Sequence, residues 1–375
     1  MREQGLTTIT LKKINKEKVY QYIYKERQTS KQQIVQELNM GLSTVSQNLN
    51  ALEQEGLINR DGYFESTGGR KAQIIQIVSD FKIAIGVGIL KNMFHIVAVD
   101  LYGEAVAKEI ISIDYIDTDE YYTKVADEVE KFINKNNYKR EQISGVSIAT
   151  QGIISPDGES VTYGKIMDNS DMRLSDFADR LSYPCRIEHD SKAAADLELW
   201  NHPELDSAVV FLLNRNLGGA IITNRRVHQG MSMHSGSLEH MCINHDGPIC
   251  YCGSRGCLET YCSVNSIETA AGVSIKEFFY EMRKNKNNIF KQIWEDYLKH
   301  LAYAIKNLNM VIDGPVIISG YLAPYFTDVD IAFMCELINA ATPFPIAKDN
   351  IIVGMHGQFT PAIGAALYYV KRFIS

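Results

Sequence analysis

The sequence predicts an α/β protein in which a winged helix-turn-helix precedes a two-lobed body of mixed sheets flanked by helices. Three observations support this fold class. Short helical patterns and then strand patterns fill residues 1–80, strands and helices alternate in two similar series from residue 81, and a run rich in His and Cys interrupts the second series. A chain of 375 residues is long enough for two or three domains with substantial cores.

Composition narrows the class of protein. Hydrophobic residues make up 45% and charged residues 22% of the chain, and no apolar run reaches the roughly 18–20 residues that a membrane span requires. The N-terminus has no signal-peptide pattern, so we expect a cytoplasmic protein without a membrane partner. Of the seven cysteines, five lie between positions 242 and 262, which favours metal binding over a disulfide framework.

The net charge of −7 is unevenly distributed. Residues 1–80 carry 11 Lys and Arg against 9 Asp and Glu, whereas the remainder carries 27 against 36. A mildly basic head on an acidic body is compatible with nucleic-acid binding at the head alone.

The head begins with three predicted helices. Apolar residues at helical spacing predict the first helix over 11–26, and Thr29-Ser30 offers an N-cap for a second over 31–38. A third helix follows from residue 42 and is closed by Gly56, which gives the helix-turn-helix arrangement. Its predicted buried side consists of Leu42, Val45, Leu49 and Leu52.

The outward face of the third helix carries short hydrogen-bonding side chains. Such side chains suit base edges and phosphates in a DNA major groove. The alternative is a small protein-interaction domain whose polar helix is merely solvated. The predicted DNA-contacting residues on this helix are Ser43, Thr44, Ser46, Gln47 and Asn50.

Two strand patterns between residues 57 and 78 predict a wing. The intervening loop, residues 66–71, presents Arg70 and Lys71 after a glycine pair. Because an arginine side chain can enter a narrow minor groove, both residues are added to the predicted DNA contacts.

The body is predicted from residue 81 as two series of strands and helices. The first has strands at 82–89, 93–100 and 105–113, a helix at 120–136, a strand at 142–149, a polar loop at 150–175, and a strand reaching Asp190 before a helix at 191–200. The second has a hairpin at 208–223, helices within 264–310, a strand at 315–319, a helix at 328–339, a strand at 351–353 and a final helix at 361–373. Ligands of such folds usually bind between the lobes, near strand ends.

The segment that interrupts the second series predicts a zinc site. Glycines at 253 and 256 allow the backbone to fold back and bring the last cysteine to the same ion. A Cys3His set fills the tetrahedral shell of zinc, so the metal would be structural. Cys242, His245 and Cys262 lie close by and could be mistaken for ligands, and unrelated buried cysteines are the alternative. The predicted ligands are His240, Cys250, Cys252 and Cys257.

Two further features accompany this segment: Asp190 follows a strand, and Gly230 and Gly236 precede His240. With these features the chain resembles the ROK family of repressors, open reading frames and kinases. The resemblance covers roughly residues 82–375, and the head resembles that of ROK repressors, including the Gly-Gly-Arg-Lys wing tip. It implies an actin-like sugar-kinase fold after a winged domain at 1–80. One lobe would comprise 81–190 with the C-terminal helix 361–375, and the other 191–360 with the zinc segment 240–257.

The family's phosphate loops are altered here. ROK kinases hold ATP with Asp-x-Gly-Gly-Thr, where this chain has residues 88–92, Gly-Ile-Leu-Lys-Asn. The second loop, glycine-rich in kinases, reads Asn-Arg-Asn-Leu-Gly-Gly-Ala over residues 214–220. The carboxylate for magnesium and the glycines that approach phosphate are lost. Although Asp190 stands at the catalytic-base position, we expect no enzyme; the alternative is a hexose kinase.

The resemblance also implies an effector site at His189, Asp190, His240 and Glu259. Asp190, His240 and Glu259 match the sugar-binding residues of the family. His189 replaces an asparagine and Ser237 replaces a glutamate, so the ligand need not be the usual hexose. Asp190 could instead be only a helix N-cap.

These features predict a transcriptional repressor of carbohydrate genes that binds operator DNA as a homodimer or a dimer of dimers. A sugar in the interlobe cleft would control it, and zinc would be its metal. The kinase and a regulator that responds to a protein partner are the alternatives.

Overall fold

The computed structural model describes residues 8–65, 71–284 and 287–374. These residues form two compact units. The first contains the described residues up to Ile83 together with Asp100–Tyr102 and the chain end from Phe373; the second contains Ala84–Val99 and Gly103–Arg372. Within the described ranges, no helix is long and apolar enough to cross a membrane.

The first unit is a winged helix-turn-helix. Ser30 caps the second helix by accepting a hydrogen bond from the backbone N–H of Gln33, and Gly56 ends the third in the left-handed region at φ 76°. The two short strands pair antiparallel and form the base of the wing. The elements are α1 (Thr8–Glu26), α2 (Lys31–Glu37), α3 (Leu42–Gln54), β1 (Ile58–Asn59) and β2 (Gln76–Ile77).

The core of this unit confirms most of the predicted buried face of α3. Val45, Leu49 and Leu52 are buried, but Leu42 is 55% exposed, so its predicted burial is wrong. A helical side chain covers the turn on the N-terminal side of its own Cα, and Leu42 is the first residue of α3. Its side chain therefore projects past the beginning of the helix.

Residues distant in sequence complete the same core. The ring of Tyr24 stacks on Tyr102 with centroids 5.2 Å apart, and the ring of Phe81 lies 5.9 Å from that of Phe373. The Tyr24 hydroxyl also donates to the carbonyl of Leu101 at 2.9 Å. Three separate segments of the chain thus build the first unit.

The second unit contains two mixed sheets, as the repeated series predicted, and each has five strands. In the first sheet the strand order is β5-β4-β3-β6-β9, and β6 and β9 are parallel. A small antiparallel pair, β7 with β8, occupies the segment predicted as a polar loop. The elements are β3 (Ile83–Leu90), β4 (Met93–Val99), β5 (Ala105–Ile111), α4 (Asp119–Lys135), β6 (Ile143–Thr150), β7 (Ile153–Ile154), β8 (Val161–Tyr163), α5 (Ser175–Ala178), β9 (Cys185–His189) and α6 (Asp190–Asn201).

The second sheet repeats this pattern in the order β12-β11-β10-β13-β14. An antiparallel hairpin is followed by two parallel neighbours. The elements are β10 (Ala208–Leu213), β11 (Leu217–Thr223), β12 (Arg226–Val227), α7 (Glu259–Cys262), α8 (Val264–Ala271), α9 (Ile275–Arg283), α10 (Asn288–Asn309), β13 (Val316–Ser319), α11 (Asp328–Ala340), β14 (Ile351–Val353) and α12 (Thr360–Ile374).

Small residues allow α12 to pack closely against α6 and β3. A Cβ added to Gly364 would overlap the carbonyl of Ala193 on α6, and one added to Gly86 would overlap the carbonyl of Ala362. This close packing fixes the junction between β9 and α6, where the candidate site begins.

Candidate effector cleft and metal cluster

A polar cleft lies where β9 meets α6, between the β7–β8 pair and the start of β11. It encloses a cavity of about 50 Å³. Of the four predicted effector residues, His189, Asp190 and His240 line this cavity. The polar and aromatic residues that line it are Gln151, Tyr163, Lys165, His189, Asp190, Ser191, Asn216, Ser237, Glu239, His240 and Tyr251.

His189 and Asp190 occupy the junction itself. The helix begins at Asp190 and its N-cap is His189, so Asp190 is not the cap. Burial lowers the pKa of His189 to about 3, and the nearby Lys192 ammonium adds to this effect. Burial raises the pKa of Asp190 to about 6, although the Ser191 hydroxyl donates to its carboxylate at 3.0 Å. The imidazole is therefore neutral at pH 7, and its buried Nδ1 has no hydrogen-bond partner among the described residues.

Glu239 contributes a second unpartnered group to the cleft. Burial raises its pKa to about 8, and repulsion from Asp190 and Glu259 acts in the same direction. Its Oε2 atom is buried and finds no hydrogen-bond partner in the part of the chain that the structure describes. At neutral pH this carboxyl is largely protonated, so it can donate as well as accept a hydrogen bond. Groups with both capacities suit the hydroxyls of a polyol.

Glu259, the fourth predicted effector residue, has a different environment. Its two carboxylate oxygens accept hydrogen bonds from the Asn216 side chain at 2.8 Å and from the backbone N–H of Leu217 at 2.6 Å. Burial raises its pKa to about 7. Glu259 thus fixes the beginning of β11, which carries part of the cleft wall.

The four predicted metal ligands form one cluster. The ligand atoms of His240, Cys250, Cys252 and Cys257 all lie within 4.8 Å of one another. The sulfurs of Cys252 and Cys257 are 3.7 Å apart. Two thiolates on a tetrahedral zinc ion, each at about 2.3 Å, would be separated by about 3.8 Å. The donor types and spacing therefore fit a tetrahedral metal ion of zinc type.

His240 connects the cluster with the cleft. Its Nδ1 lies 3.9 Å from the sulfur of Cys250, whereas its Nε2 lies 3.4 Å from the hydroxyl of Tyr251. One ring nitrogen thus faces the cluster and the other faces a residue of the cleft wall.

The family model for the ROK family matches residues 82–372, most of the chain. The chain belongs to the ROK family. A second model, described as a winged helix-turn-helix DNA-binding domain, matches residues 13–59. The predicted fold class and family are thereby confirmed.

Curated relatives of this ROK protein include repressors. The xylose repressor of Caldicellulosiruptor bescii is 22% identical over 351 residues, which cover 88% of each chain. The regulator NagC of Escherichia coli is 26% identical over 263 residues, covering 69% of this chain and 64% of NagC. Among solved structures, a ROK transcriptional regulator homologous to E. coli MLC has a TM-score of 0.72, 18% identity and 97% coverage of both chains. A ROK glucokinase from Streptomyces griseus has a TM-score of 0.66 and 18% identity, covering 76% of this chain and 98% of the glucokinase.

Several positions predicted to correspond to the phosphate loops of ROK kinases line a separate cavity that is smaller than the cleft. Gly88, Leu90 and Asn214 line it together with Asp190 and the buried His95. Asn214 accepts a hydrogen bond from the backbone N–H of Tyr321 at 2.8 Å, and Arg215 pairs with Glu268 at 3.1 Å. These side chains are engaged by the protein itself.

The predicted DNA-contacting residues of α3 are distributed along one polar face. Ser43, Gln47 and Asn50 are exposed, and Thr44 and Ser46 are half-buried. The Ser46 hydroxyl donates to the carbonyl of Leu42 at 2.7 Å, within α3 itself.

An arginine outside the predicted set fixes one of these side chains. Arg60 donates to the Asn50 side chain at 2.6 Å and pairs with Glu53 at 3.0 Å. Lys71 is exposed and lines a groove of about 370 Å³ together with Arg60 and Tyr63. Arg70 lies outside the described residues.

Several cleft residues were absent from the sequence prediction. Tyr163 and Lys165 come from the β7–β8 segment and the residues that follow it, which the sequence indicated only as a polar loop. Tyr251 lies between two of the predicted metal ligands, Cys250 and Cys252. The alternation of apolar and polar residues at 161–163 was the available signal for β8, but three residues are too few to stand out.

Proposed function

We propose that this ROK protein is a transcriptional repressor whose DNA binding is controlled by a sugar in the cleft. The observation that carries the proposal is the pair of buried, unpartnered polar atoms, His189 Nδ1 and Glu239 Oε2, at one polar cavity. Leaving such groups unpaired costs about 1–3 kcal/mol each, and a ligand hydroxyl would recover that cost. The names of the relatives, xylose repressor and NagC, support the same class of function.

The cleft requires a change of shape to admit the ligand. A water molecule needs about 10–15 Å³ of such a cavity, so the volume of about 50 Å³ present here holds only a few waters, whereas a sugar has about a dozen heavy atoms. A sugar therefore binds a wider conformation better than a narrow one, which is the differential affinity that control requires.

A thermal-shift screen of pentoses, hexoses and amino sugars tests this part. An effector raises the melting temperature by mass action, and Glu239→Gln and His189→Ala should abolish the shift. The control is Ser254→Ala, an exposed residue of the metal segment away from the cleft lining. A shift that both cleft variants retained would refute the assignment of the cleft.

For the first unit we propose operator binding through α3 and the wing, with Ser43, Thr44, Ser46, Gln47, Asn50, Arg70 and Lys71 as contacts. A duplex selected by the full chain from a random pool would serve as the probe in fluorescence anisotropy. We expect Gln47→Ala to weaken binding about tenfold and the control Gln36→Ala, on α2, to leave it unchanged. The affinity should also fall steeply with salt, and a complex insensitive to salt would contradict DNA recognition.

We propose zinc as the metal of the cluster, with a structural role. Elemental analysis of protein purified without added metal should find one zinc per chain. Cys257→Ser should lose the metal, whereas Cys242→Ser, at an exposed cysteine outside the cluster, should keep it. Retention of zinc by Cys257→Ser would exclude this ligand set.

We further propose that the protein is not a kinase and that it binds DNA as a homodimer. The engagement of Asn214 and Arg215 by other residues supports the first point. A coupled assay for ATP consumption with the sugars of the screen should give no turnover above background. Light scattering should give twice the mass of the 42.2 kDa chain.

A further inference from the structure

A second cavity lies beside the effector cleft and is larger than it. Its volume is about 370 Å³, and the β7–β8 turn, β9, the first turn of α6, the loop after β12 and α12 form its wall. Cavities that bind small molecules begin at about 300 Å³. None of the predicted functions uses this space.

The wall contains one buried and one half-buried charged side chain, Lys192 and Glu188, and both are only partly satisfied. Lys192 is 4% exposed, and its ammonium donates to the carbonyl of Met233 at 2.8 Å, the single hydrogen bond described for a group with three donors. Glu188 is held by Arg186 through one carboxylate oxygen, at 2.9 Å. A charge withdrawn from water is costly unless hydrogen bonds complete its shell, so a polar occupant would stabilise this wall.

The balance of charge indicates a neutral occupant. Arg186 and Lys192 face Glu188 in the wall, and two further acids, Asp157 and Glu159, stand at the rim. Positive groups therefore have negative neighbours, and neither a cation nor an anion finds an uncompensated partner. A neutral molecule with many hydrogen-bond donors and acceptors therefore matches this wall better than an ion does.

The remaining wall is apolar or aromatic. Its apolar surface comes from Ile154, Pro156 and Leu174. The Arg186 guanidinium lies 4.0 Å from the centroid of the Tyr368 ring. Saccharides present hydroxyl edges and C–H faces together, and both kinds of surface are available here. We infer that this cavity is a second carbohydrate-binding site that takes a neutral saccharide.

The second site adjoins the effector cleft through one residue. His189 lines both cavities, and its Nδ1 is the unpartnered atom described above. His189 is therefore the residue through which occupancy of one cavity would be felt in the other. By linkage, any such coupling would change the affinity of both ligands by the same factor.

Calorimetric titration of the full chain with neutral mono- and disaccharides at millimolar concentration tests the inference. The variants for the second site are Tyr368→Ala and Gln229→Ala, both at exposed positions of its wall, and Glu239→Gln reports on the cleft. The control is Tyr303→Ala, an exposed tyrosine on α10. Circular dichroism spectra establish that each variant is folded.

We expect a binding event that Tyr368→Ala and Gln229→Ala weaken at least about tenfold, about 1.4 kcal/mol, and that Glu239→Gln leaves in place. The inference is overturned if no saccharide gives such an event, or if every event depends on Glu239 alone. An event dependent on Tyr368 without one dependent on Glu239 would support the second site and refute the proposed effector cleft.

Discussion

His95 provides a quantitative test of the polar interior of the second unit. Its imidazole is buried on β4, and its ring lies 5.1 Å from that of Phe359. Within residues 8–65, 71–284 and 287–374, its Nε2 has no hydrogen-bond partner. Burial lowers its pKa to about 4, although a hydrogen bond with the backbone of Gln358 opposes the shift. The folded protein therefore holds this histidine neutral where an unfolded chain would protonate it.

The size of the effect follows from the two pKa values. Above the ordinary pKa of about 6.5 both states are neutral, so His95 contributes almost no pH dependence at pH 7. As the pH falls toward the folded pKa, only the unfolded chain takes up the proton, and stability is lost. At pH 5 the loss amounts to about 2 kcal/mol. The His95→Gln variant lacks this pH-dependent loss of stability, even if the substitution also changes the packing.

Urea unfolding followed by tryptophan fluorescence measures this difference, because Trp200 and Trp294 both lie in the second unit. The wild type should lose about 2 kcal/mol more than His95→Gln between pH 7 and pH 5. Asp190, whose raised pKa makes acidification favourable, contributes equally to both proteins and cancels. His228→Gln, at an exposed position, should behave as the wild type. Equal pH dependence in wild type and His95→Gln would refute the neutral burial of this residue.

Three other perturbations have defined outcomes. Gly364→Ala should lower the free energy of unfolding of the second unit by about 1–3 kcal/mol or more, because the new methyl group meets the α6 backbone; thermal denaturation measures it. Glu259→Gln should lower the free energy of unfolding by about 1–3 kcal/mol, because one acceptor oxygen facing Asn216 or Leu217 becomes a donor. Urea unfolding would detect this loss. Arg60→Ala should weaken operator binding several-fold, because Asn50 loses the partner that orients it. The slope of affinity against salt concentration should change by no more than about one unit. Fluorescence anisotropy over a salt series measures both the affinity and this slope.

The sequence predicted the elements whose signals are local. Ser30 was identified as a helix cap and Gly56 as a terminator because their chemistry acts within one turn. The metal cluster was predicted because the cysteines are close in sequence and have one compatible chemistry. The family resemblance then supplied His189 and Asp190, which no pattern of spacing would have connected with residue 240.

Features that depend on tertiary packing were not predictable. Leu42 fits the apolar stripe of α3, yet the position of a helix end relative to its neighbours decides its exposure. The carboxylate of Glu259 is directed to Asn216 and Leu217, 43 and 42 residues away, and no local rule indicates that contact. The hydrogen bond from Arg60 to Asn50, 10 residues away, likewise depends on how the chain packs after α3.

The composition of the first unit from three chain segments bears on its biosynthesis. Tyr102 and Phe373 supply ring contacts to Tyr24 and Phe81, so the hydrophobic core is incomplete until Phe373 is available. Phe373 leaves the ribosome 290 residues after Ile83, roughly 15–60 s later at ordinary rates of translation. A chain that terminates early therefore emerges with the amino-terminal helices but without the rings that cover them. Any shortening of the chain before Phe373 would therefore leave the core of the first unit without one of its ring contacts.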